Sequence, residues 1–431
     1  METMSIIGII LALGFIFYGA MKSITPIILA PVAAVIVALT SGLNMSEAYA
    51  TTYMTGLGNF VRNNYPIFLT GALFGKFMEI SGLSYSISKG ILNRFGAGRV
   101  MIAVSLASAG LAIVGISTFV AMFTLYPMCV VLFKEADVPR KIIPAAIISP
   151  AIISGVMPGL PHMYNGMVIR FFGVSAFAGP VIGFTMAGVH FVCVTIFLVW
   201  MAGKFKAQGL HFEALESDKK YFDPSAEDGS APNPYLVVIP VIIILVLLNI
   251  VKLTVAESLT GGCVVLLCMF FKRFTSKFKA LLDDAVRNSF TIVVTAAIVG
   301  FGTVVTVTPG YKNVVAMLTN ASMGNPYVLT FIVVNIIAAI TGSGNGGLSV
   351  ALEAVGKQVL DMGANVNALA RIFPASCLVF DTMPHNSIVV MSLNVCGVKH
   401  MEGYKYIFVT NCVCPLIAAT VGIILASLGV A

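Results

Sequence analysis

The dominant pattern along the chain is a series of apolar runs long enough to cross a bilayer as helices, which takes about 20 residues each. Clear runs lie near 5–21, 24–41, 63–82, 140–158, 176–201, 235–252, 254–271, 289–308, 372–383 with its extension, and 405–428. Two longer stretches, 99–133 and 325–358, are apolar but interrupted by small polar clusters. Each reads either as two full spans or as one re-entrant hairpin. The long polar segment is 203–234, which carries Lys204, Lys206, Glu213, Glu216, Asp218, Lys219, Lys220, Glu227 and Asp228 and ends in Pro232 and Pro234. It reads as a solvent-exposed cytoplasmic linker between a first repeat, 1–202, and a second, 235–431. The first apolar run has no Lys or Arg before it and no small-residue cleavage site, so it reads as a retained span and not as a secretory signal.

Composition turns this pattern into a class. Hydrophobic residues make up 58% of the 431 and charged residues only 10%, where a soluble globular protein carries roughly 25% charged residues. Mean hydropathy is +0.98. So few charges cannot cover a soluble surface, and the chain is expected to be an integral membrane protein. The +7 net charge is spread through membrane-flanking loops and forms no basic stripe, which excludes a nucleic-acid binder. The eight cysteines sit mostly within apolar runs, and no His lies at a ligand-like spacing from Cys412 and Cys414. Free thiols packed as small hydrophobes are expected, with no metal site and no cofactor.

Loop charge sets the orientation. With the N-terminus outside, 18 of the 25 basic residues fall on the cytoplasmic side, against five outside: Arg62, Lys252, Lys312, Lys357 and Arg371. Both termini are then outside. Self-similarity divides the chain in the same way. Ser81-Gly82 recurs as Pro309-Gly310, Phe95-Gly96 as Met323-Gly324, Gly115–Thr118 near Thr341–Gly344, and Leu160-Pro161-His162 as Met383-Pro384-His385, in order and with a slowly drifting offset. The first repeat starts outside and ends in the cytoplasmic linker, so the second has the opposite topology. Inverted repeats with interrupted helices are the arrangement of secondary transporters. The expected fold is therefore an all-α polytopic membrane protein of two inverted-topology repeats, each with several transmembrane helices, a re-entrant hairpin and a broken helix.

The interruptions hold the candidate chemistry. Gly115–Thr118 and Thr341–Gly347 are rich in glycine and hydroxyls, and free backbone groups at membrane depth cannot face lipid. Hairpin tips would expose N–H groups to an anion; close packing of small residues is the plainer explanation. Pro158–Gly166 and Asp381–Ser387 break helices through proline and offer His162, Asn165, His385 and Asn386. Asp381 is an intramembrane carboxylate and hence a candidate proton carrier. Glu353, in the second leg of the second hairpin, is the alternative carrier. Lys76 and Glu79, three residues apart on one helical face, are expected to pair. His190, His211 and His400 read as structural or solvent-exposed. Gly71-Ala-Leu-Phe-Gly-Lys76 falls short of a nucleotide-binding loop, and no nucleophile–base pair stands out, so no enzyme is expected.

Gly71–Gly82, Thr341–Ala354 and Pro384–Thr410 together resemble the gluconate permease family of the ion transporter superfamily. The Gly-Gly-x-x-x-Ala-Leu-Glu run, Asp381 before Pro-His-Asn, and the Cys-Gly-x-x-His-x-x-x-Tyr run at 396–404 are closest to its 3-hydroxybutyrate permease branch. The resemblance implies a bacterial inner-membrane, usually dimeric proton symporter of small organic acids. It carries the family's hairpin-tip and broken-helix positions onto Ser117, Thr118, His162, Asn165, Ser343, Asn345, Asp381, His385 and Asn386. Bulky Met163 and Tyr164 depart from the smaller residues that follow the His in the family. The expected function is import of a short hydroxy-monocarboxylate by proton symport. A gluconate-type sugar acid and Na⁺ coupling remain the open alternatives.

Overall fold

The structure is a computed structural model. It describes residues 2–22, 24–113, 118–160, 162–222, 232–251, 253–275, 278–320, 324–341 and 344–431. Among these there is no β-strand, and, the short helices Lys219–Phe222 and Phe271–Thr275 and the isolated single turns apart, the helices fall into two sets of nine along the chain. The first set is α1 (Glu2–Met21), α2 (Pro26–Thr40), α3 (Glu47–Ile80), α4 (Leu83–Phe95), α5 (Val100–Ile113), α6 (Thr118–Glu135), α7 (Ile143–Ala151), α8 (Met163–Phe172) and α9 (Pro180–Ala207). The second is α10 (Val238–Leu245), α11 (Val255–Met269), α12 (Phe278–Thr306), α13 (Pro309–Asn320), α14 (Pro326–Thr341), α15 (Gly344–Asp361), α16 (Val366–Phe380), α17 (Ser387–Val395) and α18 (His400–Ser427). Element by element, α1 matches α10 and α9 matches α18.

Among the described residues, α1, α9, α12 and α18 are long and apolar enough to cross a membrane, and α3 with α4 forms one further candidate bent by 67° at its break. The bend falls at Ser81-Gly82, where Gly82 takes φ +77°, a conformation glycine adopts without a Cβ penalty. Large apolar side chains such as Ile10, Ile196 and Ile424 face outward. Such a surface suits lipid and not water. The chain is an all-α, multi-pass membrane protein.

The two sets pack on one another. α3 lies against α12, and α9 against α18. In each repeat the sixth helix reaches across to the eighth helix of the other: α6 touches α17, and α15 touches α8. Lys76 on α3 pairs with Glu79 at 2.9 Å, as expected, and also with Asp284 on α12 at 2.8 Å, so the pair is part of the seam between repeats. α14 and α15 pack along each other as a hairpin. Gly347 permits this, since a Cβ there would lie 2.6 Å from the Ala338 Cα. For this glycine, small-residue packing is the explanation.

The linker differs from expectation. Asp218 is fully buried, paired with Arg140, and accepts the Leu215 N–H at 2.7 Å. Arg140 also donates to the Tyr126 hydroxyl and to the Cys396 carbonyl, each at 2.9 Å. A buried carboxylate needs a buried cation, and this pair folds residues 213–218 onto the ends of α6 and α17. The polar composition concealed it.

Candidate functional site

In the first repeat α7 gives way to a tight turn over Ile152–Gly155, and residues 156–160 and 162 are non-helical before α8. His162 caps α8, its Nδ1 accepting the Tyr164 N–H at 3.2 Å. In the second repeat α16 ends at Asp381, and Asn386 caps α17, its Oδ1 accepting the Ile388 N–H at 2.7 Å. A capping acceptor satisfies an otherwise orphaned helix N–H. The cap equivalent to His162 is therefore Asn386, one residue beyond the His385 that sequence similarity aligns with it.

Each break leaves carbonyls that lipid cannot satisfy. Asn165, buried behind the first break, donates Nδ2 to the Met157 carbonyl at 3.1 Å and the Ser154 carbonyl at 3.2 Å. Arg371 on α16 does the rest. Its Nε donates to the Ala178 carbonyl at 2.7 Å, Nη2 to the Ala176 carbonyl at 2.9 Å, and Nη1 to Asn165 Oδ1 at 3.0 Å. Arg371 is 0% exposed and pairs with no carboxylate among the described residues. Counted in the sequence among the outside charges, it lies buried within α16, and its guanidinium reaches across to brace the break between α7 and α8. Five fixed donors suit it to saturating several carbonyls at once.

The second break is braced from α18. His400 Nε2 donates to the Pro384 carbonyl at 3.3 Å, the Tyr404 hydroxyl to the Thr382 carbonyl at 3.3 Å, and Thr382 Oγ1 to the Asn411 carbonyl at 3.1 Å. The 396–404 run singled out in the sequence is therefore a support for the break, with Cys396 contributing its carbonyl to Arg140.

Where the two breaks meet stands Asp381. Its Oδ2 accepts the Tyr164 hydroxyl of the first repeat at 2.8 Å, and its Oδ1 accepts Asn386 Nδ2 at 2.7 Å. The backbone N–H of Gly344, at the start of α15, donates to the same carboxylate. The Cys377 thiol donates to the Gly344 carbonyl at 3.1 Å. Both backbone groups of Gly344 are thereby held. A Cβ at 344 would lie 2.0 Å from the Tyr164 oxygen and 2.6 Å from Asp381 Oδ2, so no other residue fits there without displacing them. Three donors on one carboxylate, from two helix starts and a tyrosine, make a fully satisfied anion cradle.

The structure thus brings Asp381, Asn386, Asn165 and His162 together. His385 is buried beside them; it bonds to the Ala339 backbone, and its Nε2 has no partner among the described residues. Thr118 is half-buried at the start of α6 and shares no hydrogen bond with the break residues among those described. Glu353 is exposed on α15 and joins none of these contacts. Ser117 and Ser343 lie outside the described residues, as does the side chain of Asn345. Tyr164, Arg371 and Cys377 were missed. An arginine within an apolar run was the one available signal, and the tyrosine and thiol looked like ordinary packing residues.

No protein-family model matches the chain. It is 26% identical to the uncharacterized transporter YxjC of Bacillus subtilis, over 94% of this chain and 95% of that one. It is 24% identical to an uncharacterized transporter of Haemophilus influenzae, over 74% of each. Among solved structures it is similar to the YdaH transporter of Alcanivorax borkumensis, described as having an unusual topology, at 14% identity and a TM-score of 0.45 over 89% of each chain.

Proposed function

We propose that the chain is a secondary active transporter that imports a short-chain hydroxy-monocarboxylate, of the 3-hydroxybutyrate kind, by proton symport. In this reading it belongs with the gluconate permeases. It lies in a bacterial inner membrane with both termini outside, and it works as a homodimer. The two relatives named as transporters support the general activity.

Asp381 carries the reading. A carboxylate among apolar helices is costly unless function retains it. This one joins the break of one repeat, the hairpin tip of the same repeat and the eighth helix of the other, where alternating access requires relative movement. Protonation would remove its charge and weaken those donor contacts. His385, with a buried unpaired nitrogen, is the nearest relay. Asn386, His162, Asn165 and the hairpin tips at 117–118 and 343–345 would contact the substrate. The apolar flanks Met157, Met163, Met167, Ile388 and Val389 favour a small acid over one with many hydroxyls.

The test is uptake of labelled 3-hydroxybutyrate, lactate and gluconate into proteoliposomes, with ΔpH and a Na⁺ gradient imposed separately. Concentrative, saturable 3-hydroxybutyrate uptake driven by ΔpH alone is expected. Uptake driven only by Na⁺, or of gluconate alone, overturns the proton or the substrate assignment respectively.

A further inference from the structure

The geometry points to Tyr164 as the residue that couples proton to substrate: its hydroxyl donates to Asp381 while that group is ionised, and becomes the donor to the substrate carboxylate once Asp381 is protonated. This rests on the reading of Asp381 as proton carrier and adds how that proton is felt by the anion.

Donor counting carries the inference. An ionised carboxylate only accepts, and three donors converge on Asp381: the Tyr164 hydroxyl at Oδ2, Asn386 Nδ2 at Oδ1, and the Gly344 N–H. A carboxylate has about four acceptor sites, so of the three donors only one on the lobe where the proton adds must yield. Two of them cannot turn. Asn386 is fixed because its Oδ1 caps α17. Gly344 is a backbone group whose carbonyl is held by Cys377. The Tyr164 ring is fixed as well, edge-on to His162 with centroids 4.7 Å apart, but its hydroxyl hydrogen rotates freely. When a proton from the open side of the membrane bonds to Oδ2, the tyrosine oxygen becomes the acceptor of that O–H. Its own hydrogen then turns to another acceptor, either the weakly accepting Cys377 sulfur beside it or the stronger carboxylate of the substrate.

At that moment Asp381 is neutral, so an incoming carboxylate meets no repulsion and finds a freed donor. The same proton thus removes a like charge and supplies a hydrogen bond, and by linkage the bound anion favours the protonated state equally. The titratable groups facing Asp381 are Tyr164 from α8, Cys377 from α16 and Cys412 from α18, with His385 in its own break. Tyr164 is the one that contacts the carboxylate and belongs to the other repeat.

The experiment measures binding of 3-hydroxybutyrate and of gluconate to the purified full-length protein at pH 5.5 and pH 8.5, with wild type, Tyr164→Phe and Asp381→Asn. The Phe variant keeps the ring and its contact with His162. For whichever acid binds wild type, affinity should be higher at the lower pH. Tyr164→Phe should lose about fivefold in affinity at low pH, the worth of one hydrogen bond, and almost nothing at high pH, where the hydroxyl is already committed. A loss equal at both pH values signifies a structural role and overturns the inference, as does an unchanged pH profile. Asp381→Asn should bind with little pH dependence. If it keeps the wild-type profile, Asp381 is not the proton site and the underlying reading falls. If it loses the profile while Tyr164→Phe retains it, only the inference falls. Binding of neither acid overturns both.

Discussion

Arg371 on α16 and Asp381 at its C-terminal cap, ten residues on, illustrate two ways of keeping an ionisable group inside a membrane. Asp381 is held by three donors whose geometry depends on its charge. Arg371 is held by backbone carbonyls and an amide, none of which titrates. On the proposed function the first arrangement is a switch and the second a brace, and substitution should separate them. Asp381→Asn, a permanent mimic of the neutral acid, is expected to keep exchange of internal for external substrate. Under an imposed ΔpH it should accumulate no substrate above equilibrium, as read by steady-state uptake in proteoliposomes. Retained accumulation would transfer the proton role to Glu353. Arg371→Met leaves several buried carbonyls unsatisfied at about 1–3 kcal/mol each. It is expected to lower the thermal midpoint in detergent and to reduce the yield of monodisperse protein. Arg371→Lys, with a point charge in place of a planar fork, should recover only part of this.

At the scale of elements, the helix breaks were legible in the sequence because proline and clustered small polar residues have few other reasons to interrupt an apolar run. Their partners were not. Nothing local marks Tyr164 as the ligand of a carboxylate 217 residues away, or His400 and Tyr404 as supports for carbonyls at 382–384. Such pairings exist only once the repeats fold together. The repeat alignment erred by one residue at the second break because Pro-His is conspicuous, whereas the cap that matters is the Asn after it. Gly344 offers a sharp test at this scale. Gly344→Ala places a methyl into space already taken by Tyr164 and Asp381, and uptake should fall at least about tenfold with the hairpin still folded, since overpacking of this kind typically costs 1–3 kcal/mol. Gly58→Ala, where nothing lies within 4 Å, is the matching control with near-normal uptake. Ser343→Ala combined with Asn345→Ala should abolish uptake without loss of protein from the membrane. Near-normal apparent affinity would remove that tip from the site.

For the whole molecule, hydropathy was enough to read the class, an all-α multi-pass membrane protein. What it could not convey is how tightly the linker is fixed. Asp137, in the turn after α6, accepts from His211 at 2.6 Å and from the Phe212 N–H at 3.0 Å; the histidine contact, then the backbone one, holds its carboxyl below the usual range. A lowered folded-state value means that this contribution is present above the ordinary carboxylate range and fades as pH falls through the lowered one. The linker's 210–213 stretch should therefore loosen as pH falls through that lowered range. Amide exchange at 210–213, followed downward from pH 6, is expected to rise there. Exchange that stays flat would mean that the Asp137 contacts do not hold the stretch.

Arg371 also bears on how the protein is made. A helix of fifteen residues with a guanidinium in its first half is a poor candidate for partitioning into lipid by itself, because a charge near the centre of a span costs about 2.5–3.5 kcal/mol on translocon scales. The acceptors that neutralise this cost belong to residues 157–178, which leave the ribosome some two hundred residues earlier. α16 is then inserted by a partner already resident in the membrane, and biogenesis runs in one direction along the chain. In a translation-coupled insertion assay, α16 should integrate efficiently behind the native first repeat and poorly when that repeat is replaced by unrelated spans of equal number.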